Sequence, residues 1–235
     1  MGNTSFQFKQ FTVEQSKVAM KVNTDGVLLG AWADVAQSTT ILDIGTGTGV
    51  IALMTAQKNL SATIDAIDLD EDAFLQTKEN FERSSWHQRL NAIQCSVQNY
   101  SIERRYDVII SNPPYFIDDF KTSNEQKNIA KHSTALTYEE LISGISRLLS
   151  VHGKAFLSIP VFNVERMQRI AAQQNLFSIK LTEVIAVEGK LPYLALMQLT
   201  RQQQVLSKST ITIKDGKGAF TSEYIELTKD FYLKF

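Results

Sequence analysis

A chain of 235 residues with 43% hydrophobic content is long enough to bury one sizeable core, and it carries a net charge of −1 with an isoelectric point near 6.3. That balance announces no globally basic nucleic-acid binder, no opening stretch has the apolar core of a signal peptide, and no apolar run approaches membrane-spanning length. The single cysteine, Cys95, excludes an internal disulfide, and the scattered His87, His132 and His152 offer no metal-ligand spacing, so the chain reads as intracellular and cytoplasmic.

From the N-terminus, Phe6 to Val13 reads as irregular or partly stranded, and Asp25 to Ala33 as a short helix covering a ligand pocket. Strong alternation of strand and helix follows, which argues for a parallel sheet wound with helices. The first core strand, Thr40–Ile44, runs through Gly45-Thr46-Gly47-Thr48-Gly49 into a helix over Val50–Lys58. Glycines there permit positive φ and let a ligand approach the backbone closely. Asp43 sits awkwardly for a pyrophosphate but suits a cofactor carrying an amine or a sulfonium. The next strand, Thr63–Asp68, ends in an acidic pair. Asp68 stands where a carboxylate accepts from ribose hydroxyls, while Asp70 either shares that role or caps the helix over Glu71–Ser84.

Strands over Ala92–Val97 and Tyr106–Ser111 come next, the second ending in Asn112-Pro113-Pro114-Tyr115. Two of the chain's four prolines are used here; they fix two φ angles, remove two donors and leave rigid carbonyls free to accept. The Asn amide adds an acceptor and the Tyr ring a stacking face, which together suit a planar substrate bearing an NH₂ group: an adenine amine or a glutamine amide. Phe116 to Thr137 lacks periodicity and carries Lys121, Lys127, Lys131 and His132, as a lid or substrate clamp does. A helix over Tyr138–Leu149, a helix stop at His152-Gly153, a strand over Lys154–Ile159 and a helix over Val164–Gln174 follow. Strands Ser178–Val187 and Leu194–Thr200 read as an antiparallel pair joined at Glu188–Pro192. Ile211–Ile213 reads as a small extra strand and Ser222–Asp230 as a terminal helix. With no repeat or linker, the expectation is one domain: 1–38 capping the cofactor pocket, 39–200 the core, 201–235 a C-terminal extension.

Asp43-x-Gly-x-Gly-x-Gly resembles motif I of the class I S-adenosylmethionine-dependent methyltransferases, and Asn112–Tyr115 resembles motif IV of the amino-methyltransferases. Phe8–Phe11, Ala19–Val22 and Thr24–Trp32 are similar to the N-terminal signature of the bacterial tRNA1(Val) adenine-37 N6-methyltransferases, and Thr221–Leu233 to that family's C-terminal end. The resemblance spans nearly the whole chain. It implies an α/β, Rossmann-like class I methyltransferase fold: a seven-stranded mixed sheet with an antiparallel last strand and helices on both faces. It also implies S-adenosylmethionine as cofactor, no metal, and a cytoplasmic enzyme that methylates N6 of adenosine 37, next to the anticodon of tRNA1(Val).

Carried onto this sequence, the catalytic residues are Asn112, Pro113, Pro114 and Tyr115. The cofactor residues are Asp25, Asp43, Gly45, Gly47, Gly49, Asp68, Ser96 and Asn112, with Ile67 or Leu69 flanking the adenine ring. Ser96 departs from the pattern: an Asp often stands at the third strand end, and a hydroxyl accepts more weakly than an ionised acid. Arg201, Lys208, Lys214 and Lys217 make one late stretch locally positive, and with Lys9, Lys17 and Lys21 they are the candidates for RNA phosphates. The Asn-Pro-Pro-Tyr logic equally serves a protein glutamine N5-methyltransferase. Those enzymes generally carry a helical N-terminal substrate domain, whereas the first core strand here opens at Thr40. DNA adenine methylation lacks room for a target-recognition domain, and a non-catalytic RNA-binding or nucleotide-sensing module has no need of an intact Asp43, glycine turn and Asn-Pro-Pro-Tyr.

Overall fold

The computed structural model of the protein describes residues 3–113 and 136–235. Pro114, Tyr115 and the candidate clamp's Lys121, Lys127, Lys131 and His132 lie outside the described residues. The partly stranded start is a small antiparallel ladder of β1 (Ser5–Gln7) and β2 (Thr12–Glu14), followed by α1 (Thr24–Trp32). Next alternate β3 (Thr40–Ile44), α2 (Val50–Lys58), β4 (Thr63–Asp68), α3 (Glu71–Arg83), β5 (Leu90–Gln94) and β6 (Tyr106–Ser111). The second half holds α4 (Tyr138–Leu148), β7 (Leu149–Pro160), α5 (Val164–Gln173), β8 (Phe177–Val187), β9 (Leu194–Thr200), β10 (Ser207–Lys214) and α6 (Ser222–Thr228).

The main sheet runs β10-β8-β9-β7-β6-β3-β4-β5. Only β9 is antiparallel to its neighbours, slotted between β7 and β8. The mixed, Rossmann-like sheet is therefore as expected, with eight strands in place of seven. The added strand grows from Ile211–Ile213 to Ser207–Lys214 because it pairs along β8 from Ser207↔Lys180 to Lys214↔Val187. Its first half is exposed and polar, with only Ile211 and Ile213 buried, so backbone pairing rather than apolar pattern extends it.

Helices cover both faces. Side chains of α1, α2, α3 and α6, among them Leu28, Leu53, Phe81 and Tyr224, share one buried cluster. Those of α4 and α5, among them Ile145 and Met167, share the other. Lys58 at the end of α2 fastens α1 in place, donating to the α1-terminal carbonyls of Ala31 at 2.6 Å and Ala33 at 2.5 Å.

Several element boundaries shift by a residue or two, and two regions differ further from expectation. β5 ends at Gln94 rather than Val97, because Cys95 N–H donates to Asp68 O and the chain then turns, with the amides of Asn99 and Tyr100 both donating to Ser96 O. His152-Gly153 is no helix stop. α4 ends at Leu148, and β7 runs straight through the pair, with a break in its register against β6 between Tyr106 and Val108. A Cβ on Gly153 would lie 2.7 Å from Leu149 Cδ1 and 2.9 Å from Tyr106 O, so this glycine serves a close strand approach at that irregularity.

No helix among the described residues is long and apolar enough to cross a membrane. Chain order and sheet order together place a crevice. From β3 the chain winds outward through β4 to β5, then returns to β6 on β3's other side and winds the opposite way through β7. Ligands of such sheets bind outside the carboxyl ends of the strands at that reversal.

Candidate active site

The expected cofactor residues gather at those carboxyl ends. Between β3 and α2, Gly45, Gly47 and Gly49 have φ of 69°, 60° and 80°. Gly49 is doubly constrained, since a Cβ there would stand 2.8 Å from Phe81 Cε1 and 3.2 Å from Thr77 Cγ2 on α3. A Cβ on Gly45 or Gly47 would meet nothing within 4 Å, which leaves open space along the turn's outer side. The next strand end braces the turn: Gly45 N–H donates to Ile67 O at 2.9 Å and Gly47 N–H to Asp68 Oδ2 at 2.9 Å.

Asp43, next to last in β3, is almost fully buried, at 1% exposure. Thr46 Oγ1 donates to its Oδ2 at 2.7 Å, while Oδ1 is buried with no hydrogen-bond partner among the described residues. Burial pushes this carboxyl up to about 7, Thr46 and the Ala52 amide opposing and the charge of Asp68 adding to the rise. An orphaned carboxylate oxygen beside an open glycine turn fits a ligand that brings its own cation.

Asp68 is half-buried at the end of β4, and Oδ1 accepts from Asp70 N–H at 3.0 Å. Its pKa is raised by burial, against the lowering effect of the Gly47 and Asp70 amides. Each carboxylate oxygen keeps acceptor capacity beyond these bonds. Asp70 is the N-cap of α3, accepting from Ala73 N–H at 2.8 Å. Beyond it Leu69 is 56% exposed, whereas Ile67 is buried in the core. Ser96 lies just past β5, where its Oγ accepts from Asn99 N–H at 3.3 Å.

Across the reversal, β6 delivers Asn112 and Pro113 beside the glycine turn. Ser111, fully buried, ties the two strand ends by donating to Ile44 O at 2.8 Å. Asn112 Oδ1 accepts from the hydroxyl of Ser158 on β7. Its Nδ2 faces the N-terminus of α1, 3.6 Å from where a Gly26 Cβ would stand. Asn23 caps that helix through Gly26 N–H at 2.8 Å. Asp25 is tied across the fold, with Tyr193 Oη donating to its Oδ1 at 2.8 Å; burial and the Asp25 charge raise the phenol's pKa. The β8–β9 connection is thereby fastened over the rim beside Asn112.

Sequence reasoning missed Ser158, Tyr193 and Thr46. A signal existed for Ser158, the one hydroxyl within the otherwise apolar Ala155–Pro160. Several candidate phosphate-binding cations have partners within the chain. Lys9 donates to Lys229 O at 2.6 Å and Phe235 O at 2.7 Å, Lys17 pairs with Glu79 at 3.0 Å, and Lys21 donates to Asn3 O at 3.1 Å. Arg201 donates to the carbonyls of Ser146 and Leu149 where α4 ends. Lys208 and Lys217 are exposed, and Lys214 stands 5.3 Å over the Phe220 ring. Among the described residues no group of three or more His, Cys, Asp or Glu is placed to hold a metal ion.

Comparison with known proteins agrees with the fold. Residues 20–151 match the family model of the methyltransferase small domain. Among solved structures, a protein described as a predicted O-methyltransferase from Agrobacterium tumefaciens superposes with a TM-score of 0.68 at 17% identity, covering 88% of this chain and 96% of that one. The ribosomal protein L11 methylase of Lactobacillus delbrueckii subsp. bulgaricus superposes at 0.57 with 14% identity, covering 81% and 84%. These two show the fold alone. Sequence relatives are much nearer. A Bacteroides thetaiotaomicron protein named tRNA1(Val) (adenine(37)-N6)-methyltransferase is 42% identical over 99% of both chains. Proteins of the same name from Bacteroides fragilis and Trichodesmium erythraeum are 43% and 41% identical, each over 100% of both chains. The chain is therefore a member of the methyltransferase small domain family and belongs to the family of the tRNA1(Val) (adenine(37)-N6)-methyltransferases.

Proposed function

We propose that this protein transfers a methyl group from S-adenosylmethionine to N6 of adenosine 37, next to the anticodon of tRNA1(Val), in the cytoplasm. The observation that carries the reading is full-length identity above 40% to relatives bearing that activity as their name. The whole chain serves as one unit: 1–38 caps the cofactor pocket, 39–200 is the core and 201–235 an extension. In support, Lys9 is bonded to the main chain of the last residues, and α1 is fastened to α2.

S-Adenosylmethionine supplies an electrophilic methyl group on a sulfonium and an amine that the orphaned Asp43 oxygen suits. Asp43 faces that cationic end, Gly45, Gly47 and Gly49 let the ligand approach the backbone, and Asp68 accepts from the ribose. Asp25 closes the pocket from α1, Leu69 lies along the adenine ring, and the Ser96 hydroxyl serves its amine more weakly than an acid does. On the substrate side, the adenine N6 lone pair is delocalised into the ring and is a poor nucleophile. Asn112 Oδ1, through its remaining lone pair, and the Pro113 carbonyl accept the two N–H protons. That favours a more tetrahedral nitrogen and holds its lone pair in line with the incoming methyl. Pro114 holds the carbonyl geometry, and Tyr115 stacks on the base once it leaves its neighbours. As the N–C bond would form, the methyl's bond to the sulfonium would break and leave a neutral thioether; the nitrogen would become cationic, dipolar acceptors would stabilise the transition state, and one proton would then depart to solvent. No strong base is required.

The test is radiolabelled methyl transfer to bulk tRNA from a strain lacking the gene, followed by mapping of the modified nucleoside. Label in N6-methyladenosine at position 37 of tRNA1(Val) is expected. Label on a glutamine-bearing protein, with none on tRNA, replaces this reading with the protein-amide one.

A further inference from the structure

Ser158 is fully buried on β7, a strand whose flanking residues Leu157 and Ile159 are apolar and equally buried. A hydroxyl placed in such surroundings costs free energy unless it is bonded, and the bond it makes is to Asn112 Oδ1. Sheet register produces the meeting. Ser111 pairs with Leu157, so the next residue of each parallel strand, Asn112 and Ser158, are lateral neighbours. β6 ends at Ser111, whereas β7 continues to Pro160, held on its other side by β9 through Ser158↔Leu196 and Pro160↔Leu194. Asn112 thus stands on the first residue beyond its strand, and Ser158 within a strand still paired.

A carboxamide has two nearly isosteric orientations, related by a half-turn that exchanges an acceptor for a donor. The difference decides the chemistry: Oδ1 accepts from a target amine, whereas Nδ2 opposes it donor against donor. A hydroxyl can donate or accept, but the buried Ser158 proton has no other acceptor among the described residues, so an inverted carboxamide would leave that donor bare; donating to Oδ1 satisfies it and leaves the second lone pair for substrate. The Nδ2 edge then lies against the α1 N-terminus at Gly26.

We propose that Ser158 is a positioning residue for methyl transfer, its hydroxyl holding the Asn112 carboxamide in the orientation that presents an acceptor to the target amine. This rests on the methyl-transfer reading above. Acting through Asn112, Ser158 touches neither the cofactor nor the substrate.

The experiment compares wild type, Ser158→Ala, Asn112→Ala and the double variant in single-turnover and steady-state methyl transfer to unmodified tRNA, with cofactor affinity by calorimetry and melting temperature for each. Ser158→Ala is expected to lower kcat about tenfold, the effect of one orienting hydrogen bond. Its KM for tRNA, cofactor affinity and melting behaviour should stay close to wild type. In the Asn112→Ala background the same change should cost nothing further, because the group that Ser158 orients is gone. If Ser158→Ala folds poorly, Ser158→Cys, similar in volume with a weak donor, carries the same comparison. The inference is overturned by unchanged kcat in the Ser158 variant, by an equal further loss in the Asn112→Ala background, or by a kcat loss matched in cofactor affinity. Wild-type protein that transfers no methyl to tRNA overturns the reading and this inference together; wild-type transfer with an unaffected Ser158 variant overturns the inference alone.

Discussion

Thr46 Oγ1 donates to Asp43 Oδ2 at 2.7 Å, so one oxygen of a buried carboxyl is satisfied from the glycine turn itself while the other has no hydrogen-bond partner among the described residues. The half-satisfied acid has a folded-state pKa of about 7 against an ordinary 3.8. A raised folded pKa means that this group's stabilising contribution is complete below the unfolded value and is lost as pH rises through about 7. Ligand-free protein should therefore lose stability from this group between about pH 4 and 7, and Asp43→Asn should flatten that part of the profile. A cationic cofactor reverses the preference. Affinity should rise with pH up to about 7, by at most roughly tenfold per unit, with proton release. Thermal melts across the range, and calorimetry in two buffers of different ionisation enthalpy, measure both; pH-independent binding in wild type would remove Asp43 from the cofactor site.

Asp68 accepts from the Gly47 and Asp70 amides and is the proposed acceptor for the cofactor ribose. Asp68→Ala should weaken S-adenosylmethionine by about 1.5–3 kcal/mol, the usual worth of hydrogen bonds to a charged group. It should also lower ligand-free stability, since the turn loses its brace. Asp68→Asn keeps a neutral acceptor for Gly47 N–H, so it should recover stability more than affinity. Equal recovery of both would make Asp68 a brace only.

Two glycines of one turn should fail differently. Gly49→Ala combines a positive φ with a Cβ 2.8 Å from Phe81, so it should destabilise the ligand-free fold by about 2 kcal/mol or more. Gly47→Ala has open space around its Cβ and should cost only about 1 kcal/mol of backbone strain, while obstructing the cofactor. Melting temperature and calorimetric affinity for both variants separate the two effects.

Asn112→Ala should reduce methyl transfer by about 100-fold or more and leave cofactor affinity nearly intact, because its contact with the amine strengthens in the transition state. Near-normal turnover in this variant would show that the Asn serves only to end its strand.

β10 runs parallel to β8 and is set far along it: Lys208 pairs with Leu181, which is level with Met197, Leu157 and Ser111, while Lys214 pairs with Val187, further along in the same direction. Binding of tRNA should weaken steeply with salt, and removing the charges of Lys208, Lys214 and Lys217 should flatten that slope. Affinity measured across a salt series for each variant decides it. A slope unchanged in all three variants would place the RNA on another surface.

Local chemistry was legible from residues alone. A strand, three glycines and a helix in succession have one economical geometry, which the positive φ values at Gly45, Gly47 and Gly49 display. Asp70 capped its helix as its neighbours implied, and apolar runs such as Thr40–Ile44 and Tyr106–Ser111 became strands at the boundaries read from them. What the chain by itself determined are these short-range features, where backbone preference and apolar period act within a few residues. Only the tertiary structure decided the rest. Ser158 meets Asn112 because two parallel strands share a register, Tyr193 meets Asp25 because β9 turns back beside β7, and β10 reaches eight residues because β8 offers a free edge. Each depends on pairing between segments far apart in sequence. A polar residue's worth there is set by the partner that packing brings to it, and no local pattern encodes that partner.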